Sequence, residues 1–112
     1  MNLFSKAILS AAIIGIALTG CGEKKDNHLK VGAIAGAETQ VAEEAAKIAK
    51  EKFGLEVEIV QFSDFATPNV ALNDGSIDVN AFQHKPYLDS QIKDRGFKLV
   101  AVGNTFVYPI AG

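Results

Sequence analysis

The sequence is short of the side chains that most chemistry needs. Its 112 residues include one cysteine, Cys21, so no disulfide forms within the chain and no cysteine cluster holds a metal. It has two histidines, His28 and His84, and only His84 falls inside a patterned domain segment. A metal wants several His, Asp, Glu or Cys ligands, and Asp78 with His84 is too thin a set, so neither a metal nor a cofactor is expected. The hydroxyl residues form no identifiable triad, and no enzyme activity is expected. The run Gly32-Ala33-Ile34-Ala35-Gly36 is not a G-x-G-x-x-G fingerprint, and no Walker motif occurs. Lys and Arg total 11 against 13 Asp and Glu. Without a basic cluster or interleaved aromatics, this balance excludes nucleic acid as a partner. The uncharged apolar run from Ala7 to Leu18 falls short of the roughly 20 residues that a permanent membrane span requires.

That short run has another reading. Lys6 precedes it, and the small residues Thr19 and Gly20 follow, which is the layout of a secretory signal with a cleavage site. Leu18-Thr19-Gly20-Cys21 resembles the bacterial lipobox. The resemblance implies cleavage before Cys21, an S-diacylglycerol group on its thiol and an N-palmitoyl group on the new amino terminus. More than one acyl chain makes such anchoring stable. The alternative is an ordinary signal followed by a buried cysteine, but lipidation accounts for a lone cysteine in an exported chain. Residues 1–20 are thus expected to be a lipoprotein signal, and residues 21–28 a polar lipidated tether ending at His28. Removing 20 of 112 residues takes one base, Lys6, and no acid, leaving a side-chain charge of about −3. The location expected is the bacterial cell envelope, with the domain facing the periplasm or the exterior and the choice of membrane open.

Residues 29–112 alternate strand and helix patterns. Leu29–Ala35 is a nearly continuous apolar and small run, which suits a strand covered on both faces. From Glu38 to Phe53 the spacing is helical, with Val41, Ala45, Ile48 and Ala49 on the expected buried face and Gly54 as the stop. Glu56–Phe62 reads as a second strand, and Pro68 opens a short helix with Thr67 as its cap. Ile77–Phe82 is predicted as a third strand, Pro86 opens another helix that ends before Gly96, and Phe97–Gly103 is predicted as a fourth strand. Strands alternating with helices imply an α/β fold around a parallel sheet. The tail to Gly112 is apolar and strand-like. A natural end there would expose a sheet edge, so the reading is a piece of a longer protein.

Ligands of parallel sheets bind beyond the carboxyl ends of the strands. Three loops are expected there, at Gly36–Thr39, Ser63–Pro68 and Phe82–Tyr87. Phe65, Phe82, His84 and Tyr87 lie in the last two and are the candidate ligand-binding residues. They suit an apolar pocket with a few polar handles, and aromatic walls suit a thioether. Core aromatics and a surface histidine would give the same spacing, and spacing alone selects no ligand.

Three stretches carry a family resemblance: Val31-Gly-Ala-Ile-Ala-Gly-Ala-Glu, Asp78-Val-Asn-Ala-Phe-Gln-His-Lys-Pro-Tyr-Leu-Asp and Leu99-Val-Ala-Val-Gly-Asn-Thr-Phe-Val-Tyr-Pro-Ile-Ala-Gly. They resemble the methionine-binding lipoproteins of the NlpA family, and the likeness runs over essentially the whole chain. It implies a type 2 periplasmic-binding-protein fold, of which residues 29–112 are most of the first lobe and the second lobe is missing. It further implies capture of L- or D-methionine, with Phe82, His84 and Tyr87 around the thioether. Phe65 stands where the family often carries tyrosine, so the ring is kept and the hydroxyl lost. The implied partners are methionine, the permease and ATPase subunits of an ABC importer, and the membrane through the lipid anchor. Two other readings share part of the pattern. One is a binding lipoprotein for another small amino acid or peptide. The other is a surface lipoprotein with an adhesive or antigenic role.

Overall fold

The computed structural model describes residues 26–106. The segment read as an export signal, Cys21, most of the expected tether and the last apolar residues of the tail lie outside the described residues. The elements run β1 (His28–Ile34), α1 (Ala37–Phe53), β2 (Glu56–Phe62), α2 (Thr67–Asp74), β3 (Val79–Asn80) and α3 (Lys85–Arg95). The three strands form one parallel sheet in the order β2-β1-β3. The α/β alternation read from the sequence is therefore present, with helices linking parallel strands.

The small, apolar run of β1 puts it in the middle. It pairs with β2 along its whole length, from His28 opposite Glu56 to Ile34 opposite Phe62. His28, expected to end the tether, is instead the first residue of this strand. Gly32 is required where it sits: a Cβ there would lie 2.6 Å from Ile77 Cδ1 and 2.9 Å from Phe62 Cε2. Its bare Cα lets side chains from beside β3 and from β2 meet across the central strand.

β3 is shorter than the predicted Ile77–Phe82. Only Val79 and Asn80 pair, opposite Val31 and Gly32. The flanking positions still bond to β1. Asp78 N–H donates to Lys30 O, Lys30 N–H donates to the Asp78 carboxylate, and Ala81 N–H donates to Gly32 O. A side-chain carboxylate thus replaces a strand carbonyl at Asp78, and beyond Ala81 the chain leaves the sheet.

Helix α1 starts after Gly36 and closes on Gly54, whose left-handed backbone (φ 64°) lets its own N–H donate to Lys50 O and the N–H of Leu55 donate to Ala49 O. Its buried face differs from the expected one except at Ala49. Thr39 is buried and Ala42, Ala46 and Ala49 are half-buried, whereas Val41, Ala45, Ile48 and Phe53 are exposed. Both stripes have helical spacing, so periodicity could not separate them. Alanines allow the helix to lie close on the strands, and the Thr39 hydroxyl donates to Ile34 O at 2.8 Å, which sets the rotation of the first turn. The core beneath is small: Ala33, Ala71, Ile77 and Leu88.

The predicted fourth strand is not formed. Phe97–Gly103 has no strand partner among the described residues, and Val100 and Val102 are 78% and 84% exposed. An extended apolar segment becomes a strand only when a neighbour accepts its backbone bonds. What holds this segment is local: Lys98 N–H donates to Asn73 Oδ1 at 2.9 Å, and the Arg95 guanidinium lies over the Phe97 ring.

Candidate functional site

Two loops at the carboxyl end of the sheet build the site. The first follows β2. Asp64 accepts the N–H groups of Ala66 and Thr67 and the Thr67 hydroxyl, at 2.7 to 2.9 Å. This satisfies the first turn of α2, so Asp64, not Thr67, is the capping side chain; Thr67 is already helical. The bonds from the Thr67 backbone, the Thr67 hydroxyl and the Ala66 backbone hold the Asp64 carboxyl below its ordinary pKa, against a small opposing effect of burial. Asp64 thereby fixes the loop in which Phe65 projects, 62% exposed.

The second loop follows β3 and enters α3. His84 is the N-terminal cap residue, in extended conformation, and its carbonyl accepts Leu88 N–H. Pro86 sits in the first turn, where its missing N–H costs nothing. Phe82 lies before the cap and Tyr87 in the first turn after it.

The loops meet through rings. Phe65 stacks on Phe82 with centroids 6.3 Å apart and planes at 27°. Tyr87 meets Phe82 edge-on, at 6.2 Å and 74°. Both geometries are favourable for aromatic pairs. The Tyr87 hydroxyl donates to Phe65 O at 2.8 Å and ties α3 to the first loop. Three of the four residues singled out from the sequence are therefore brought together. His84 is exposed and its imidazole makes no hydrogen bond or ion pair among the described residues.

Next to the rings in the chain, with Gln83 directly after Phe82, is a set of amides that sequence reasoning missed. Asn69 and Gln83 exchange two bonds of 2.8 Å, and Asn80 donates to Asn69 Oδ1 and to Pro68 O. Asn80 and Gln83 stood inside the motif that carried the family resemblance, but nothing in local spacing shows that they meet Asn69. The three members are uncharged amides, and the ion pair of Lys85 with Asp89 is exposed on α3.

An open groove of about 410 Å³ lies at the opposite end, lined by His28, Ala46, Lys47, Lys50, Glu56, Val57 and Glu58. His28, Glu56, Val57 and Glu58 lie at the starts of β1 and β2, and Ala46, Lys47 and Lys50 come from α1. In a parallel sheet the strand starts lack the converging loops that hold ligands, and the polar groups there pair with one another: the His28 imidazole lies 3.5 Å from the Glu58 carboxylate, Lys30 pairs with Glu58, and Lys50 with Glu56. Among the described residues no three His, Cys, Asp or Glu side chains cluster as a metal would require, and no helix is long and apolar enough to cross a membrane.

The model of the NlpA lipoprotein family matches residues 29–112. The chain belongs to the NlpA lipoprotein family. It is 67% identical over 108 residues to the D-methionine-binding lipoprotein MetQ of Escherichia coli strain K12, covering 95% of this chain and 40% of that protein. It therefore spans about 40% of the length of such curated relatives. The crystal structure of a methionine-binding protein MetQ superposes with a TM-score of 0.74 at 72% identity, covering 76% of this chain and 35% of the other. A nutrient-binding protein from Burkholderia cenocepacia, solved bound to methionine, superposes at 0.63 with 51% identity, over 64% of this chain and 30% of that one. This NlpA-family chain thus shares its parallel sheet and flanking helices with periplasmic substrate-binding proteins.

Proposed function

We propose that the chain supplies the first lobe of a methionine-binding lipoprotein that serves a bacterial ABC importer. One observation carries the reading: Phe65, Phe82 and Tyr87 form a contiguous aromatic group where two loops converge at the carboxyl end of a parallel sheet. An uncharged aromatic wall favours a flexible, polarizable thioether over a charged side chain, at roughly 0.3–1.5 kcal/mol per sulfur–ring contact. The name of the Escherichia coli relative and the methionine-bound Burkholderia protein support the same ligand.

The function is binding, not catalysis. The rings take the methionine side chain, L or D, and His84 stands at the rim as a polar handle. The ammonium and carboxylate are met by a second lobe, in the part of the relatives' length beyond this match. Ligand then stabilises the closed arrangement, because only that arrangement contacts it from both sides. The closed form delivers methionine to the permease and ATPase subunits, and acyl chains on Cys21 hold the protein at the envelope membrane.

Calorimetry on the complete lipoprotein tests this. Methionine is expected to bind more tightly than leucine, and Phe82→Ala is expected to remove most of that preference. Residues 22–112 alone are expected to bind weakly or not at all, since one lobe provides half the contacts. A complete protein that binds leucine or a short peptide in preference to methionine would overturn the ligand assignment.

A further inference from the structure

We propose that Asn69, Asn80 and Gln83 are positioning residues that set the separation of the Phe65 and Phe82 rings and so determine which side chains the pocket accepts. The proposal rests on the methionine reading above and deepens it.

Asn69 is fully buried, the largest such side chain among the described residues. A buried primary amide is costly unless its donors and acceptor are used. Here they are used within a closed ring of three side chains. Asn69 Nδ2 donates to Gln83 Oε1 at 2.8 Å, and Gln83 Nε2 returns a bond to Asn69 Oδ1 at 2.8 Å. Asn80 Nδ2 donates to the same Asn69 Oδ1 at 3.0 Å and to Pro68 O at 3.2 Å. Gln83 Nε2 also reaches Asn80 Oδ1 at 3.1 Å. These amides come from the first turn of α2, from β3 and from the loop after β3.

Each member is tied to a different element of the site. Asn69 lies in the turn that follows Phe65 and is joined rigidly to it through the Asp64 cap. Gln83 directly follows Phe82. Asn80 is the last paired residue of β3, opposite Gly32. The network therefore joins the Phe65 loop, the Phe82 loop and the sheet under one set of directional bonds. The Tyr87 hydroxyl ties the Phe65 backbone to α3, but the Phe65 ring is mostly exposed and little but its stacking holds its distance from Phe82. Hydrogen bonds impose distance and angle where stacking alone tolerates sliding. An apolar replacement fills the space but leaves the partner amides unpaired, and the loops then relax apart.

The test uses the complete lipoprotein with Asn69→Leu, which keeps the branching and the number of heavy atoms, and Gln83→Met, which keeps the length at a half-buried site and serves if the first variant does not fold. Binding of methionine, norleucine and leucine is measured by calorimetry well below each variant's melting temperature, and the proximity of the Phe65 and Phe82 rings by NMR cross-peaks. Methionine affinity is expected to fall about tenfold or more, with the methionine-to-leucine ratio collapsing and the cross-peaks between the two rings disappearing. A merely structural role would lower the melting temperature and leave the ratio and the cross-peaks unchanged in the folded variants, and that result overturns the proposal. If the unsubstituted protein binds no methionine, the functional reading fails. The cross-peaks then decide alone: their disappearance in the variants supports positioning, and their persistence overturns it.

Discussion

The two ends of this sheet are built from the same strands and differ in nearly every other respect. At the amino end, Lys30 with Glu58 and Lys50 with Glu56 form loose, partly exposed ion pairs at 3.8 to 4.0 Å around an open groove, with the His28 imidazole 3.5 Å from Glu58. At the carboxyl end, rings and amides meet in specific geometries with hydrogen bonds of 2.8 to 3.2 Å. Size of cavity would favour the first as a ligand site, and order of the side chains favours the second. Long charged side chains in water hold no fixed geometry and contribute little. Short-range directional bonds among half-buried groups do hold one, and selective binding needs that.

The comparison can be broken most directly at Phe82, which touches both other rings. Phe82→Ala should weaken methionine binding by about 2 kcal/mol, some thirtyfold, in calorimetry on the complete lipoprotein. An unchanged affinity would move the site elsewhere. Gly32 lies under both ends. Gly32→Ala should destabilise the protein by about 1–3 kcal/mol, read as a shift in denaturant midpoint, because the new methyl meets Ile77 and the Phe62 ring. Tyr87→Phe keeps the ring and deletes its bond to Phe65 O. A loss of about 0.5–1.5 kcal/mol in methionine affinity is expected, and the alanine variant should lose more.

Acid should act through the carboxyl-end loops. Hydrogen bonds from Thr67 and Ala66 lower the Asp64 pKa in the folded state. A depressed folded pKa means that the stabilisation is fully present above the unfolded value of about 3.9 and is lost as pH falls through the lower folded value. The melting temperatures of the parent protein and of Asp64→Asn should therefore differ near neutral pH and converge in strong acid. The smallest effect belongs to the amino end. Glu56→Gln should change stability by less than about 0.5 kcal/mol and leave methionine affinity unaltered, since its partner Lys50 is exposed. A measurable drop in affinity would show that the groove takes part in binding.

Much of the fold was legible because its signals are local. Gly54, Gly75 and Gly96 end the three helices in left-handed conformation, and Pro68 and Pro86 sit in first turns. The first two strands are legible to within a residue. The buried face of α1 is not, because Val41-Ala45-Ile48 and Ala42-Ala46-Ala49 share one period, and the smaller stripe packs closer. Phe97–Gly103 reads as a strand and is none, because β-propensity does not supply a partner. In the site, the aromatic trio was legible from loop positions, whereas the His84 imidazole is exposed and bonds to none of the described residues, and Asn69 was missed, being 11 and 14 residues from its amide partners.

By itself, the sequence determined the order of strands and helices, where the helices stop and which aromatics fall near the carboxyl end. These follow from backbone preferences of single residues and from spacing within one element. Only the tertiary structure decided which helix face is buried, which extended segment is a strand and which amides close a ring. Each of those depends on a partner remote in the chain, and a hydrogen bond or a packed surface exists only when both partners arrive.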